Sequence, residues 1–253
     1  MRLRVPKSTY IFFFISSKMS ISNDTKKQRL RWIPLESNPE ILNKMIHGHG
    51  VDPKWGFVDI YGFDDDALAV VPRPATAIIF LFPGSPAYDD FRAKDEERLA
   101  SNKQTISDNV IHFKQTIENA CGMMALLHSL SNNRQINGDG LFKRIFDATR
   151  DMTYDKRGEY LETCSELATL HHDSACSGQS HTPDIADPCT NHYISFVEVD
   201  GDIYELDGGR PFPVYHGKCN DFVKDTARIM QTFIDRDPNF NEYSAIALAK
   251  LEE

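Results

Sequence analysis

The dipeptide Asp200-Gly201 lies between NHYISFVEV and DIYELD and constrains this chain more than any other short stretch. An Asp-Gly pair flanked by alternating apolar residues specifies a two-residue hairpin turn. That turn fixes the register: Val199 opposes Asp202, Ile194 opposes Asp207, and His192 opposes Gly209. Because His192 and Ile194 share a face, His192 and Asp207 become diagonal neighbours, about 7–8 Å apart and within reach of an imidazole–carboxylate contact. A three-residue loop would shift the register by one and separate them.

The hairpin sits in a chain of mixed elements. Asn38-Pro39-Glu40 supplies an N-cap, a first-turn proline and an acidic first turn for a helix that ends at Gly48 and Gly50. WGFVDIYG (55–62) and TAIIFLF (76–82) read as strands, the second apolar on both faces and therefore central. Pro86–Ala100 reads as a charged surface helix, and GMMALLHSL from Gly122 as a buried one. LFKRIFDATRDM and GEYLETCSELATL are further helical stretches. Leu170–Asn191 has no hydrophobic period and reads as one long loop, of a length that is usually functional or disordered. Strands HYISFVEV, DIYELD and PFPVYH follow it, then a helix over Asp221–Asp235, and AIALAK as a strand or helix end.

A net charge of −9 speaks against a nucleic-acid partner and suits a basic protein surface. Five scattered cysteines without a CxxC pair suggest neither a disulfide framework nor a zinc ribbon, so a reducing cytoplasm, or the nucleus, is the expected compartment. The apolar run Ile11–Ile15 is too short to span a bilayer or to serve as a secretory core. Residues 1–30 are expected to be a mobile leader, with Met19 the initiator and a weak targeting segment the alternative. No membrane association is expected.

In QTIENACGMMALLHSL a polar run stops at Cys121, where the buried helix begins. A thiolate is the reactive form of cysteine, and a helix N-terminus stabilises it. A small buried residue at a core-helix start accounts for the same position equally well. Gln115, six residues upstream, brings an amide that can donate to an oxyanion beside the backbone N–H of Cys121. Asn119 is placed to cap the helix. Cysteine, histidine and aspartate in this order form a nucleophile, a base and an orienting carboxylate.

QTIENACGMMALLHSL and NHYISFVEVDGDIYELDGGRPFPVYHG (191–217) resemble the two signature blocks of the ubiquitin C-terminal hydrolases, a family of papain-like cysteine peptidases. RWIPLESNPEILNKMI, WGFVDIYGFD, AVVPRPATAIIFLFP and YSAIALA resemble that family in the same order, and the short single-domain L-type isozymes are the nearest in form. The resemblance implies an α+β papain-like fold over residues 31–253, with a central antiparallel sheet flanked by helices on both sides and a knotted backbone. It also implies Cys121 as nucleophile, His192 as general base and proton donor, Asp207 as the residue orienting His192, and Gln115 as the oxyanion stabiliser. The segment 170–191 becomes an active-site crossover loop that restricts leaving groups to small or unfolded adducts of ubiquitin's C-terminal glycine.

Ubiquitin is the implied partner, with a close ubiquitin-like modifier as a further one, and a monomer is expected. Trp32, Pro34, Leu35, Glu36, Glu40 and Asp59, together with the crossover loop, match ubiquitin-contacting stretches. No cofactor is expected. No metal is expected either, because His171, His172, Cys176, His181, Cys189 and His192 lack the paired ligand spacing of structural zinc. Two rivals differ in class: a ubiquitin-binding module without turnover, and a cysteine peptidase that cleaves ordinary peptides.

Overall fold

The computed structural model describes residues 30–178 and 189–251. The expected leader and initiator therefore lie outside the described residues, apart from Leu30. So do residues 179–188, the middle of the expected loop.

Six strands form one antiparallel sheet: β1 (Trp55–Asp59), β2 (Ala75–Pro83), β3 (Asn191–Val199), β4 (Asp202–Leu206), β5 (Val214–Lys218) and β6 (Ser244–Lys250), in the order β1-β6-β2-β3-β4-β5. Alternation along each strand sends side chains to two cores. Ala77, Ile79, Tyr193, Val197, Tyr204 and Leu206 point into one, and Ile78, Phe80, Phe82, Ile194, Phe196 and Ile203 into the other. A strand buried on both sides has no polar face to show, which is why AIIFLF (77–82) is apolar throughout.

Helices cover both faces. Over the first lie α1 (Pro39–His47), α4 (Cys121–Ser131), α5 (Leu141–Ala148), α6 (Tyr154–Thr163) and α7 (Ser165–Ala175). Over the second lie α2 (Asp65–Ala69), α3 (Pro86–Ser101) and α8 (Phe222–Arg236). The Asn38 side chain caps α1 as expected, accepting from Glu40 N at 2.9 Å. Every residue of α4 is buried, and Ser129 Oγ meets Ser195 Oγ at 2.8 Å, tying that helix to β3 across an otherwise apolar interface.

Several expectations need correction. Leu170–Ala175 is not loop but the end of α7, and Asn191 already belongs to β3. The helix escaped notice because its inward stripe includes His171 and Ser174, polar residues that hydropathy assigns to the surface, alongside Leu167 and Ala175. GEYLETCSELATL is divided between α6 and α7 at Cys164, whose ψ of 86° leaves the helical region. Strand β1 stops at Asp59, β5 begins only at Val214 after the prolines, and AIALAK is strand β6.

Three histidines are sealed into the fold as neutral rings: burial lowers His128 to about 3, and His112 and His171 to about 4. In the unfolded chain each titrates near about 6.5. Between those values the unfolded state binds protons that the folded state refuses, so stability falls as pH drops, by about 1.4 kcal/mol per pH unit for each ring. Urea unfolding at about pH 5 should show an uptake of about two to three protons, falling toward zero at about pH 7, where His192, with its pKa raised to about 10, releases a proton on unfolding. A stability that does not change over that range would contradict the burial of neutral imidazoles.

Candidate active site

The hairpin has the register its sequence demands. Asp200 and Gly201 carry φ values of 55° and 76°, and Val199 pairs with Asp202 through to Ser195 with Leu206. Beyond that ladder His192 and Asp207 meet on one face, with His192 Nε2 2.9 Å from Asp207 Oδ1.

Asp207 has no exposed surface, and its oxygens are satisfied from several directions. Oδ1 accepts from Gly209 N at 2.8 Å, and Oδ2 from the Tyr88 hydroxyl at 3.2 Å. Its main-chain oxygen accepts from Arg210 N at 3.0 Å and from His112 Nε2 at 2.9 Å, which places the ring proton of His112 on that nitrogen. Tyr154 stacks on His112 with ring centroids 4.7 Å apart, and its hydroxyl donates to the carbonyls of Gly208 (3.3 Å) and Arg210 (2.6 Å). The Arg210 side chain is itself buried and pairs with Asp95 at 3.0 Å.

Electrostatics follow from this packing. Burial works against a charge on His192, but the Asp207 carboxylate and a hydrogen bond with Cys121 raise its pKa to about 10. For Asp207, burial raises the pKa, and His192, the Gly209 N–H and Arg210 more than reverse that, holding the carboxyl well below its usual range. His192 thus bridges the two other members of the triad, Nε2 toward Asp207 and, by elimination, Nδ1 toward the sulfur.

Cys121 is the first residue of α4, with Ala120 as N-cap and no side chain capping the helix. Asn119 is therefore not the cap that the sequence suggested. It lies one residue too early, in the left-handed region at φ 61°, where it turns the chain into the helix. The segment leading to the thiol is held at both ends. Gln115 N donates to Gly208 O at 2.9 Å, and Glu118 pairs with the N-terminal segment through Trp32 N→Glu118 O (2.9 Å) and Glu118 N→Leu30 O (2.8 Å). Gln115 Nε2 donates one hydrogen to Ile117 O at 3.1 Å, and its amide carries a second. A Cβ on Gly208 would lie 2.9 Å from Gln115 Cβ and 3.2 Å from its nitrogen, so only glycine lets the Asp207 turn approach this segment so closely.

The expected ubiquitin-contacting residues fall on several elements. Trp32 packs on His171 at 4.3 Å, and His171 Nε2 donates to Ile33 O at 2.7 Å. Pro34 is half-buried. Leu35 is buried against the nucleophile's helix, its Cβ 3.2 Å from where a Cβ on Gly122 would stand, and Tyr193 Oη donates to its carbonyl at 3.0 Å. The Glu36 carboxylate accepts from Asn38 Nδ2 at 3.0 Å and closes against Gly178. Glu40 is exposed on the first turn of α1, and Asp59 ends β1 opposite Ile246. Thus Trp32–Glu36 run beside the thiol, whereas Glu40 and Asp59 stand on other elements.

At the two ends of the expected loop, Gly178 lies beside Glu36, and the thiol of Cys189 is pushed up by burial and by the nearby Cys121 sulfur. Of the metal-type residues noted in the sequence, His171 is turned into the core and His181 lies outside the described residues. Among the described residues no three His, Cys, Asp or Glu side chains converge as a metal site. No helix there is long and apolar enough to cross a membrane. Sequence reasoning missed Tyr88, His112 and Tyr154, which support the Asp207 turn from distant parts of the chain, and Arg210, three residues on, whose side chain reaches Asp95.

Known proteins resemble this chain over most of its length. The profile of the ubiquitin carboxyl-terminal hydrolases, family 1, matches residues 32–235. A probable ubiquitin carboxyl-terminal hydrolase of Dictyostelium discoideum is 40% identical over 237 residues, covering 92% of this chain and 93% of that protein. Human ubiquitin carboxyl-terminal hydrolase isozyme L1 is 37% identical over 222 residues, covering 86% and 97%. Among solved structures, the Trichinella spiralis UCH37 catalytic domain bound to ubiquitin vinyl methyl ester superposes with a TM-score of 0.67 at 21% identity, covering 87% of this chain and 96% of that one.

The charge state of His192 is directly measurable. Its imidazole resonances in NMR should keep the protonated form through about pH 9, given a pKa raised to about 10. In Asp207→Asn the ring should titrate several units lower, near or below about 6.5, because burial then acts unopposed by the carboxylate. A wild-type His192 that loses its proton near about pH 6.5 would rule out the ion pair.

Proposed function

Because this chain belongs to family 1 of the ubiquitin carboxyl-terminal hydrolases and is thereby a deubiquitinating thiol hydrolase, we propose that Cys121, His192, Asp207 and Gln115 carry its reaction. The observation that supports this assignment most is the position of the His192 ring, 2.9 Å from a fully buried carboxylate and next to the sulfur of a helix-leading cysteine. The Cys121 thiolate attacks the carbonyl carbon of ubiquitin's terminal glycine, and the π electron pair moves to oxygen. That oxyanion takes hydrogen bonds from the Cys121 N–H and from the second Gln115 amide hydrogen. As the C–N bond breaks, His192 gives its proton to the leaving amine and a thioester remains. Water then loses a proton to His192 and attacks the thioester carbonyl, and the sulfur leaves as free ubiquitin forms. Asp207 keeps the imidazole in one orientation through both halves.

The substrates are small or unfolded adducts of ubiquitin. Support comes from Gly178 beside Glu36 and Cys189 beside Cys121, which bring the two described ends of the expected crossover loop to the site. Ubiquitin contacts are assigned to Trp32, Pro34, Leu35, Glu36, Glu40 and Asp59, and a net charge of −9 favours a partner with a basic face and an arginine-bearing tail. A close ubiquitin-like modifier is a second substrate by the same chemistry. The enzyme acts as a monomer in the cytoplasm, with access to the nucleus, a reading that suits five free cysteines.

Release of a fluorophore from the C-terminus of intact ubiquitin tests the reaction. Cys121→Ala should abolish release and retain ubiquitin binding. Gln115→Ala should lower kcat by roughly 10²–10³, the usual effect of removing one oxyanion donor. Gly208→Ala should lower it by up to about 10², through displacement of Gln115 by the added methyl. Full activity in Gln115→Ala would remove that residue from the oxyanion site. Equal cleavage of short peptides without ubiquitin would favour a general cysteine peptidase.

A further inference from the structure

Four residues complete the reaction as just described, yet one oxygen of the catalytic carboxylate is assigned no part in it. Asp207 Oδ1 faces His192 at 2.9 Å and accepts from Gly209 N at 2.8 Å. Oδ2 is turned the other way, into a region with no exposed surface, where it accepts from the Tyr88 hydroxyl at 3.2 Å. A carboxylate can rotate about its Cβ–Cγ bond, and an oxygen buried without a donor would drive it to do so. Rotation would swing Oδ1 off the imidazole.

We propose that Tyr88 is a positioning residue of this enzyme, whose hydroxyl fixes the plane of the Asp207 carboxylate and through it the catalytic orientation of His192. The surroundings of Tyr88 suit that task. Its backbone is pinned at the start of α3, where its N–H donates to the capping Ser85 Oγ at 3.1 Å. Its ring is 4% exposed and meets Phe82 edge-on, with centroids 4.7 Å apart and planes at 72°. Phe82 in turn meets the His192 ring edge-on at 5.6 Å and 88°, and Tyr88 itself lies 6.2 Å from that ring. One aromatic wedge thus sets the position of both the donor and the imidazole it serves. The hydroxyl is always a donor at working pH, because burial and the charges of Asp207 and Glu205 raise its pKa well above 10.

This assignment rests on the thiol-hydrolase reading, and the ubiquitin–fluorophore assay tests both. Tyr88→Phe keeps the ring and its packing and deletes only the donor. It should lower kcat roughly 10- to 100-fold, the range for losing a hydrogen bond to a charged group, with KM within about twofold. The decisive measurement is a double-mutant cycle in single-turnover conditions with enzyme in excess. In an Asp207→Ala background, Tyr88→Phe should have no further effect, since the hydroxyl then has no carboxylate to hold. A Tyr88→Phe kcat within about twofold of wild type would overturn the proposal. So would an equal loss in both backgrounds, which would mark a general effect on the fold, or a raised KM with kcat kept. Wild-type release that survives Cys121→Ala would overturn the reaction itself, and that result is read separately in the same assay.

Discussion

A carboxylate with no exposed surface has to be satisfied from every side, and Asp207 sets that demand at the centre of this structure. Removing one partner from a buried charge is strongly destabilising, so the elements around Asp207 are not free to drift. The β3–β4 hairpin brings His192 to Oδ1, and α3 brings Tyr88 to Oδ2. His112 and Arg210 hold the main-chain oxygen, while Tyr154 ties the same turn to α6. The turn then anchors Gln115 through the Gly208 carbonyl. One buried charge thereby links both sheet faces and the segment that leads to the thiol.

The same residue type is used in two opposite electrical states within this small volume. His192 has a carboxylate and a sulfur as neighbours, and its charge is favoured despite burial. His112 and His128, their ring centroids 5.1 Å apart and tilted at 39°, hydrogen-bond to backbone groups, and burial keeps both rings neutral. Neutral rings behind Asp207 serve the site well. A cation there would compete with His192 for the carboxylate and weaken the pair that the chemistry uses. The difference is made by partners, since all three rings are largely withdrawn from water.

How much of this was legible in the sequence depended on the distance over which each signal acts. The β3–β4 register was legible because two turn residues determine it, and with it the meeting of His192 and Asp207. The burial of α4 and the central place of β2 were legible because apolar periodicity is a local property. The end of α7 was not, since its inward face is built from His171 and Ser174, whose partners lie on the segment before α1 and elsewhere in the core. Tyr88 is separated from Asp207 by 119 residues and Arg210 from Asp95 by 115, so no local pattern announces either contact. Asn119 misled for a related reason. Its residue type marks a helix start, but only the left-handed backbone shows that it turns the chain one step earlier.

The sheet order also bears on how such a chain is made. Strand β6, Ser244–Lys250, is inserted between β1 and β2 rather than added at an edge. A nascent chain on the ribosome can assemble β2, β3 and β4, but β1 has no sheet neighbour until the last strand has emerged. Pairings at such sequence separation form slowly and leave strand edges open meanwhile. Translation therefore has to run past Lys250 before the fold can close. A message stopped before the codons for Ser244–Lys250 would yield an unclosed sheet, a target for quality control rather than a shortened enzyme.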